Sequence, residues 1–156
     1  MMPIRAELRD LYDDYAIALD DFDLSAWAGF FTDDCTYRIV SMENHRENLP
    51  LSTMLCEGIG MVRDRAASIQ HASVFEPRVL RHLVSGVRVD EVVSGDAWKA
   101  RANFAILESL SNRETHLLVV GRYLDHVVRR DGQLKLRERV CVYDNYRIPT
   151  SLVYPI

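Results

Sequence analysis

Lysine is nearly missing from this sequence. Of 19 basic residues only Lys99 and Lys135 are lysine, and the other 17 are arginine. With a net charge of −4 the chain lacks the basic excess that nucleic-acid binding needs, so no nucleic-acid partner is expected. A GC-rich genome produces the same arginine bias. Its physical consequence is a set of forked donors that suit carboxylates and interfaces better than lysine does. Cysteine is scarce too: Cys35, Cys56 and Cys141 are an odd set without paired spacing, which fits a reducing cytoplasm rather than a disulfide framework. No apolar run approaches the length of a membrane span, and charges begin at Arg5, so neither a membrane partner nor a signal segment is expected. Repeats, low-complexity stretches and linkers are also lacking. At 156 residues and 48% hydrophobic content, residues 1–156 read as one globular domain.

Sites with strict spacing are missing as well. A Rieske centre needs Cys-x-His followed by Cys-x-x-His, and no cysteine here has a histidine two or three residues later. Zinc pairs fail on the same ground, and the five histidines show no i, i+4 pairing for a mononuclear iron site. His116 and His126 can share a strand face, where solvent-side placement is the simpler account. Gly58-x-Gly60 lacks a third glycine and a preceding strand, and neither a Walker sequence nor a Gly-x-Ser-x-Gly elbow is present. No metal or cofactor is expected in this chain.

What is present is clear periodicity. Ile4, Leu8, Leu11, Tyr12, Tyr15, Ala16 and Leu19 recur at steps of three and four, predicting an amphipathic helix that ends near Asp20-Asp21. Asp23 reads as the N-cap of a short second helix carrying Trp27, Phe30 and Phe31. Thr32-Asp33-Asp34 reads as a turn, residues 37–42 as a strand, residues 43–53 as a loop, and residues 59–69 as a third helix. From Arg78 onward long strands alternate with turns: 79–93, 97–110, 115–128 and 134–144. In the second of these Trp98, Ala100, Ala102, Phe104 and Ile106 share one face, with Lys99, Arg101 and Asn103 on the other. About three helices followed by an antiparallel meander predict an α+β domain, with the helices on one face of a curved sheet.

A hollow between helices and sheet can strand a carboxylate or histidine in apolar surroundings, which is where acid–base chemistry would sit. Asp20, Tyr37, His71 and His82 are the candidates. Each also has a structural role open to it: a turn residue, a core tyrosine, and histidines satisfied by backbone.

Several segments then resemble known proteins. Asp23-x-x-x-Trp27-x-x-Phe30-Phe31-Thr32-Asp33-Asp34-Cys35-x-Tyr37 is similar to the helix-to-strand segment of the nuclear-transport-factor-2-like superfamily, which includes ketosteroid isomerase and scytalone dehydratase. Residues 37–44 (Tyr-Arg-Ile-Val-Ser-Met-Glu-Asn) resemble the small subunits of aromatic-ring hydroxylating dioxygenases in particular. So do Arg81-His82-Leu83-Val84-Ser85-Gly86, Ala100-Arg101-Ala102-Asn103-Phe104, Gly121-Arg122-Tyr123-x-Asp125 and Arg137-Glu138-Arg139-Val140-Cys141-Val142-Tyr143-Asp144. Gly86 stands where that family usually has Asn. The short N-terminus resembles the benzoate, anthranilate and salicylate hydroxylase branch.

The resemblance implies a cone-shaped fold with a mixed or antiparallel sheet, and no catalytic site in this chain. It implies a large subunit carrying a Rieske 2Fe-2S cluster and mononuclear Fe(II), supplied from NAD(P)H by a reductase and in some systems a ferredoxin. The expected assembly is an α3β3 heterohexamer built on a small-subunit trimer and serving aromatic compound catabolism. Arg81, His82, Arg137, Glu138, Arg139 and Asp144 are the candidates for subunit contacts. The runner-up implication is a stand-alone dehydratase or isomerase using Asp20, Tyr37, His71 and His82.

Overall fold

A computed structural model describes residues 2–71, 78–148, 152 and 154–156. Helix α1 (Ile4–Asp20) buries the predicted stripe of Leu8, Leu11, Tyr12, Tyr15, Ala16 and Leu19. It ends in a Schellman turn, with Phe22 N–H donating to Leu19 and Asp23 N–H to Ala18. Phe22 holds the left-handed position of that turn, φ 58°, where glycine is usual. Asp23 caps α2 (Leu24–Ala28) through Ala26 N–H at 3.0 Å, as its sequence position predicted.

The next segment departs from expectation. Phe30 and Phe31 both lie outside α2, and Phe31 begins strand β1 (Phe31–Ser41), so Thr32-Asp33-Asp34 is strand rather than turn. Pairing decides this: β1 runs parallel to the last strand and antiparallel to a short strand that periodicity did not reveal. Asp33 and Asp34 keep to the exposed side. The segment read as loop contains helix α3 (Met42–Arg46), capped by the Ser41 hydroxyl, and it is followed by β2 (Met54–Glu57). Helix α4 (Gly58–His71) is slightly longer than predicted.

Strands β3 (Arg78–Ser94), β4 (Ala97–Leu110), β5 (His116–Arg130) and β6 (Gln133–Tyr143) form the antiparallel meander. Across the sheet the order is β2-β1-β6-β5-β4-β3, mixed because β1 and β6 are parallel. The sheet is curved with the helices on one side, as expected for this α+β class. β3 bulges between Ser85 and Arg88. Gly86 sits there at φ 66°, a left-handed position that Gly and Asn tolerate best, which accounts for either residue at this place in the motif. The core fills the space between the helices and the inner face of the sheet, including Trp98, Ala100, Ala102, Phe104 and Ile106 as predicted. Among the described residues no helix is long and apolar enough to cross a membrane.

Candidate functional site

The inward register of β5 and β6 places Asp125 directly opposite Arg139, and both side chains are fully enclosed. The guanidinium donates to both carboxylate oxygens, from Nε at 2.9 Å and Nη2 at 2.7 Å. Tyr12 from α1 donates its hydroxyl to the same carboxylate. The rings of Tyr12, Tyr15 and Tyr123 surround the cation at 4.7, 4.2 and 3.8 Å. Two polar atoms in this centre, Arg139 Nη1 and Tyr123 Oη, are buried without a hydrogen-bond partner among the described residues. Burial pushes the Tyr12 phenol well above its usual value, and the Asp125 charge adds to that. For Arg139 burial opposes the charge, yet Asp125 together with Tyr15 and Tyr12 outweighs it and holds the guanidinium firmly protonated. Phenols kept neutral around a fixed ion pair give packing and orientation, not a proton acceptor at neutral pH.

Ile156 is buried in the same core. Its main-chain oxygen accepts from Tyr15 at 2.8 Å and Tyr37 at 2.9 Å, and from the Cys141 thiol at 3.5 Å. Its N–H donates to Tyr37 Oη at 2.8 Å, and the Trp27 indole donates to Tyr15 Oη at 3.1 Å. Ile156 is buried, so the chain fills the hollow with its own residue. Burial drives the Cys141 thiol up to about 12, and it raises the Tyr15 and Tyr37 phenols as well.

Two further polar clusters occupy inward positions on β3 and β4. Asp20, the last residue of α1, accepts from His82 Nδ1 at 2.6 Å and from the His82 backbone N–H at 3.1 Å. The carboxylate therefore fixes the tautomer, leaving Nε2 buried without a partner among the described residues. Glu108 is fully buried and accepts from Arg78 at 2.7 Å. His116 Nε2 stands 3.2 Å from Glu108, within ion-pair reach but not aligned for a hydrogen bond.

The structure therefore joins Asp20 to His82 and leaves the other two catalytic candidates elsewhere. Tyr37 is committed to Ile156, and His71 is exposed at the end of α4, beside an outer groove with Ser25, Arg63 and Gln70. Among the subunit-contact candidates Arg81, Arg137, Glu138 and Asp144 are exposed, with Arg137 3.4 Å from Asp34. Arg139 and His82 require correction: both point into the chain's own core and have no surface to offer a partner. Alternation explains it, because both lie at inward positions of their strands. His116 is likewise not simply solvent-facing, given its contact with Glu108.

Sequence reasoning missed Glu108 and Ile156 altogether; it saw Tyr12 only as part of the α1 stripe and Asp125 only as part of a motif. The available signal was a charge falling in register with apolar inward residues: Asp125 with Tyr123 and Val127, and Glu108 with Ile106 and Leu110. Among the described residues no group of three or more His, Cys, Asp or Glu is placed to hold a metal.

A SnoaL-like domain family matches residues 2–140. The chain is 34% identical over 150 residues to the anthranilate 1,2-dioxygenase small subunit of Burkholderia cepacia, covering 96% of this chain and 92% of that one. It is 32% identical over 144 residues to the beta 1 subunit of the terephthalate 1,2-dioxygenase terminal oxygenase component of a Comamonas species, covering 91% and 92%. A solved structure assigned as the beta subunit of an aromatic-ring-hydroxylating dioxygenase of Novosphingobium aromaticivorans superposes with a TM-score of 0.89 at 30% identity, covering 98% and 97%.

Proposed function

Because this chain belongs to the family of small subunits of aromatic-ring hydroxylating dioxygenases, we propose that it serves as the assembly subunit of an oxygenase acting on an aromatic acid. Anthranilate and terephthalate in the relatives' names are the basis for that substrate class. The observation that carries the assembly role is the filled interior. Where a stand-alone enzyme of this shape would admit substrate, Ile156 and the Asp125–Arg139 pair already stand. On the opposite face of β3, β4 and β5, Val79, Leu83 and Leu117 are exposed around Arg81 and Leu107. An exposed apolar patch with an arginine at its centre is the composition of a subunit contact.

In this reading three small subunits hold three large subunits, and the large subunit carries the Rieske cluster and the mononuclear iron. Electrons come from NAD(P)H through a reductase, with or without a ferredoxin, in the cytoplasm. The residues of this chain perform none of those steps; they fix the geometry of the partner. Co-expression with a cognate large subunit, followed by size exclusion with light scattering, should give a 3:3 complex. Arg81→Glu should reduce the fraction assembled while leaving turnover per intact complex within a few-fold. A stable monomer that ignores the large subunit would refute the assignment.

A further inference from the structure

Among the described residues no strand lies beyond β3, which forms one edge of the sheet and is 17 residues long, whereas β2 at the other edge has four. A long edge offers unpaired N–H and C=O groups to any extended chain, and proteins close such edges with bulges, charges or a covering helix. The two halves of β3 differ in how they are closed. Beyond Ser85 its pairing with β4 slips three times, and Arg88, Asp90 and Glu91 add charge. From Arg78 to Ser85 the register is unbroken. There the run Val79-Leu80-Arg81-His82-Leu83-Val84 is mostly apolar, with Val79 and Leu83 exposed. That half has the composition of a segment that accepts another strand.

Helix α1 packs on β3 and bonds to its backbone from both helix ends. Asp20, the last residue of α1, receives the His82 N–H on both carboxylate oxygens at 3.1 Å, and the His82 ring Nδ1 at 2.6 Å. Arg5, in the first turn, donates Nε to the Val87 carbonyl oxygen at 3.1 Å. Alternate residues of a strand turn their backbone groups the same way, so where His82 faces away from β4, Leu80 and Val84 do as well. Nothing in α1 itself accounts for Asp20. A carboxylate at a helix C-terminus opposes the helix dipole, and the last turn of α1 has no basic residue to offset it.

We infer that Asp20 and Arg5 close the edge of β3 against strand addition, and that the partner they exclude is the same strand of a second copy of this chain. Antiparallel pairing of two copies about His82 sets Leu80 against Val84 and keeps each Arg81 opposite an apolar Leu83. The inference goes beyond the assembly role. Val79 and Leu83 belong to the exposed patch on which that role rests, and an open edge beside the patch would let copies join in the wrong arrangement.

The probe is a fluorescent peptide of residues 78–85, added to the full chain and followed by anisotropy, with light scattering to follow growth of the chain itself. The unsubstituted chain should exclude the peptide. Asp20→Ala/Arg5→Ala, with its fold checked by near-ultraviolet circular dichroism, should bind the peptide at least ten-fold more tightly and grow beyond the size of the unsubstituted chain. Arg5→Ala alone removes one bond at an exposed residue and should shift binding the same way, so the test survives if the double variant does not fold. Gly121→Ala crowds β5 against β6 and leaves both contacts on β3 in place, so it should exclude the peptide. The inference is overturned if the folded variants exclude the peptide or if Gly121→Ala binds it as tightly as they do. It is equally overturned if N-methylation of the peptide at alternate residues, in either phase, leaves binding unchanged. No outcome involves a large subunit, so failure here and failure of the assembly assignment are distinct.

Discussion

Replacing Arg139 with Met isolates the interaction on which the interior is built. The substitution keeps an unbranched apolar stem of similar reach but leaves the Asp125 carboxylate, which is fully enclosed, with Tyr12 as its remaining side-chain donor. Breaking a buried ion pair from one side costs about 3–5 kcal/mol, because the surviving charge stays desolvated. For a chain of this size each kcal/mol moves the melting temperature by about 2–4 °C, so the expected drop is roughly 6–20 °C. Urea unfolding at fixed protein concentration should show the midpoint falling with the slope unchanged. The reasoning makes a sharper claim about the double variant Arg139→Met/Asp125→Leu. With both charges gone this pair leaves no unpaired ion behind, and the Tyr12 hydroxyl loses its acceptor, at about 1–3 kcal/mol. The double variant should therefore be more stable than Arg139→Met alone. A single variant within about 1 kcal/mol of the unsubstituted chain, or a double variant as unstable as the sum of the singles, would refute the argument.

Alkali should unfold the chain steeply. Burial raises the Tyr12, Tyr15, Tyr37 and Tyr123 phenols above their ordinary value near 10, and Cys141 to about 12. Above the unfolded values the unfolded state loses protons that the native state keeps, so stability is full below about pH 8 and falls by up to ~1.4 kcal/mol per group per pH unit. Urea midpoints that stay flat from pH 8 to 11 would contradict this. Asp20→Asn should weaken the tie to His82 and lower stability by about 1–2 kcal/mol, while turnover per assembled complex stays within a few-fold. A general base would contribute roughly 10²–10⁴, so a hundredfold loss from Asp20→Asn or His71→Gln in intact complexes would revive pocket chemistry. Gly121→Ala should reverse the usual gain from replacing glycine in a strand. An added Cβ would lie 2.0 Å from the Val142 carbonyl oxygen, so a loss of about 3 kcal/mol is expected, and unchanged thermal stability would show that β5 and β6 can part freely.

Much of this architecture was legible without coordinates, because its signals are local. The α1 stripe, the Asp23 cap, the four long strands and the α+β order follow from periodicity and turn chemistry. Nearest-neighbour physics suffices for them: a helix or hairpin is specified by residues a few positions apart. Features created by distant partners were not legible. Asp33 and Asp34 look like turn residues until β6 and β2 pair with β1 on either side. Met54–Glu57 is four residues long, too short for a period to emerge, and it is strand only because β1 lies beside it. The candidate residues divide in the same way. Asp20 and His82 were named from type alone, and the sequence held no information on the 2.6 Å contact that joins residues 62 positions apart. Arg139 reads as an interface residue because it lies in a motif strand beside the charges of Arg137, Glu138 and Asp144. Its place in the core depends on Asp125 opposite it and on three tyrosines from α1 and β5, a desolvated charge being stable only where folding brings such partners together. Ile156 shows the limit most plainly: one apolar residue without period or motif, given its position in the interior by Tyr15 and Tyr37, which lie 141 and 119 residues away in sequence.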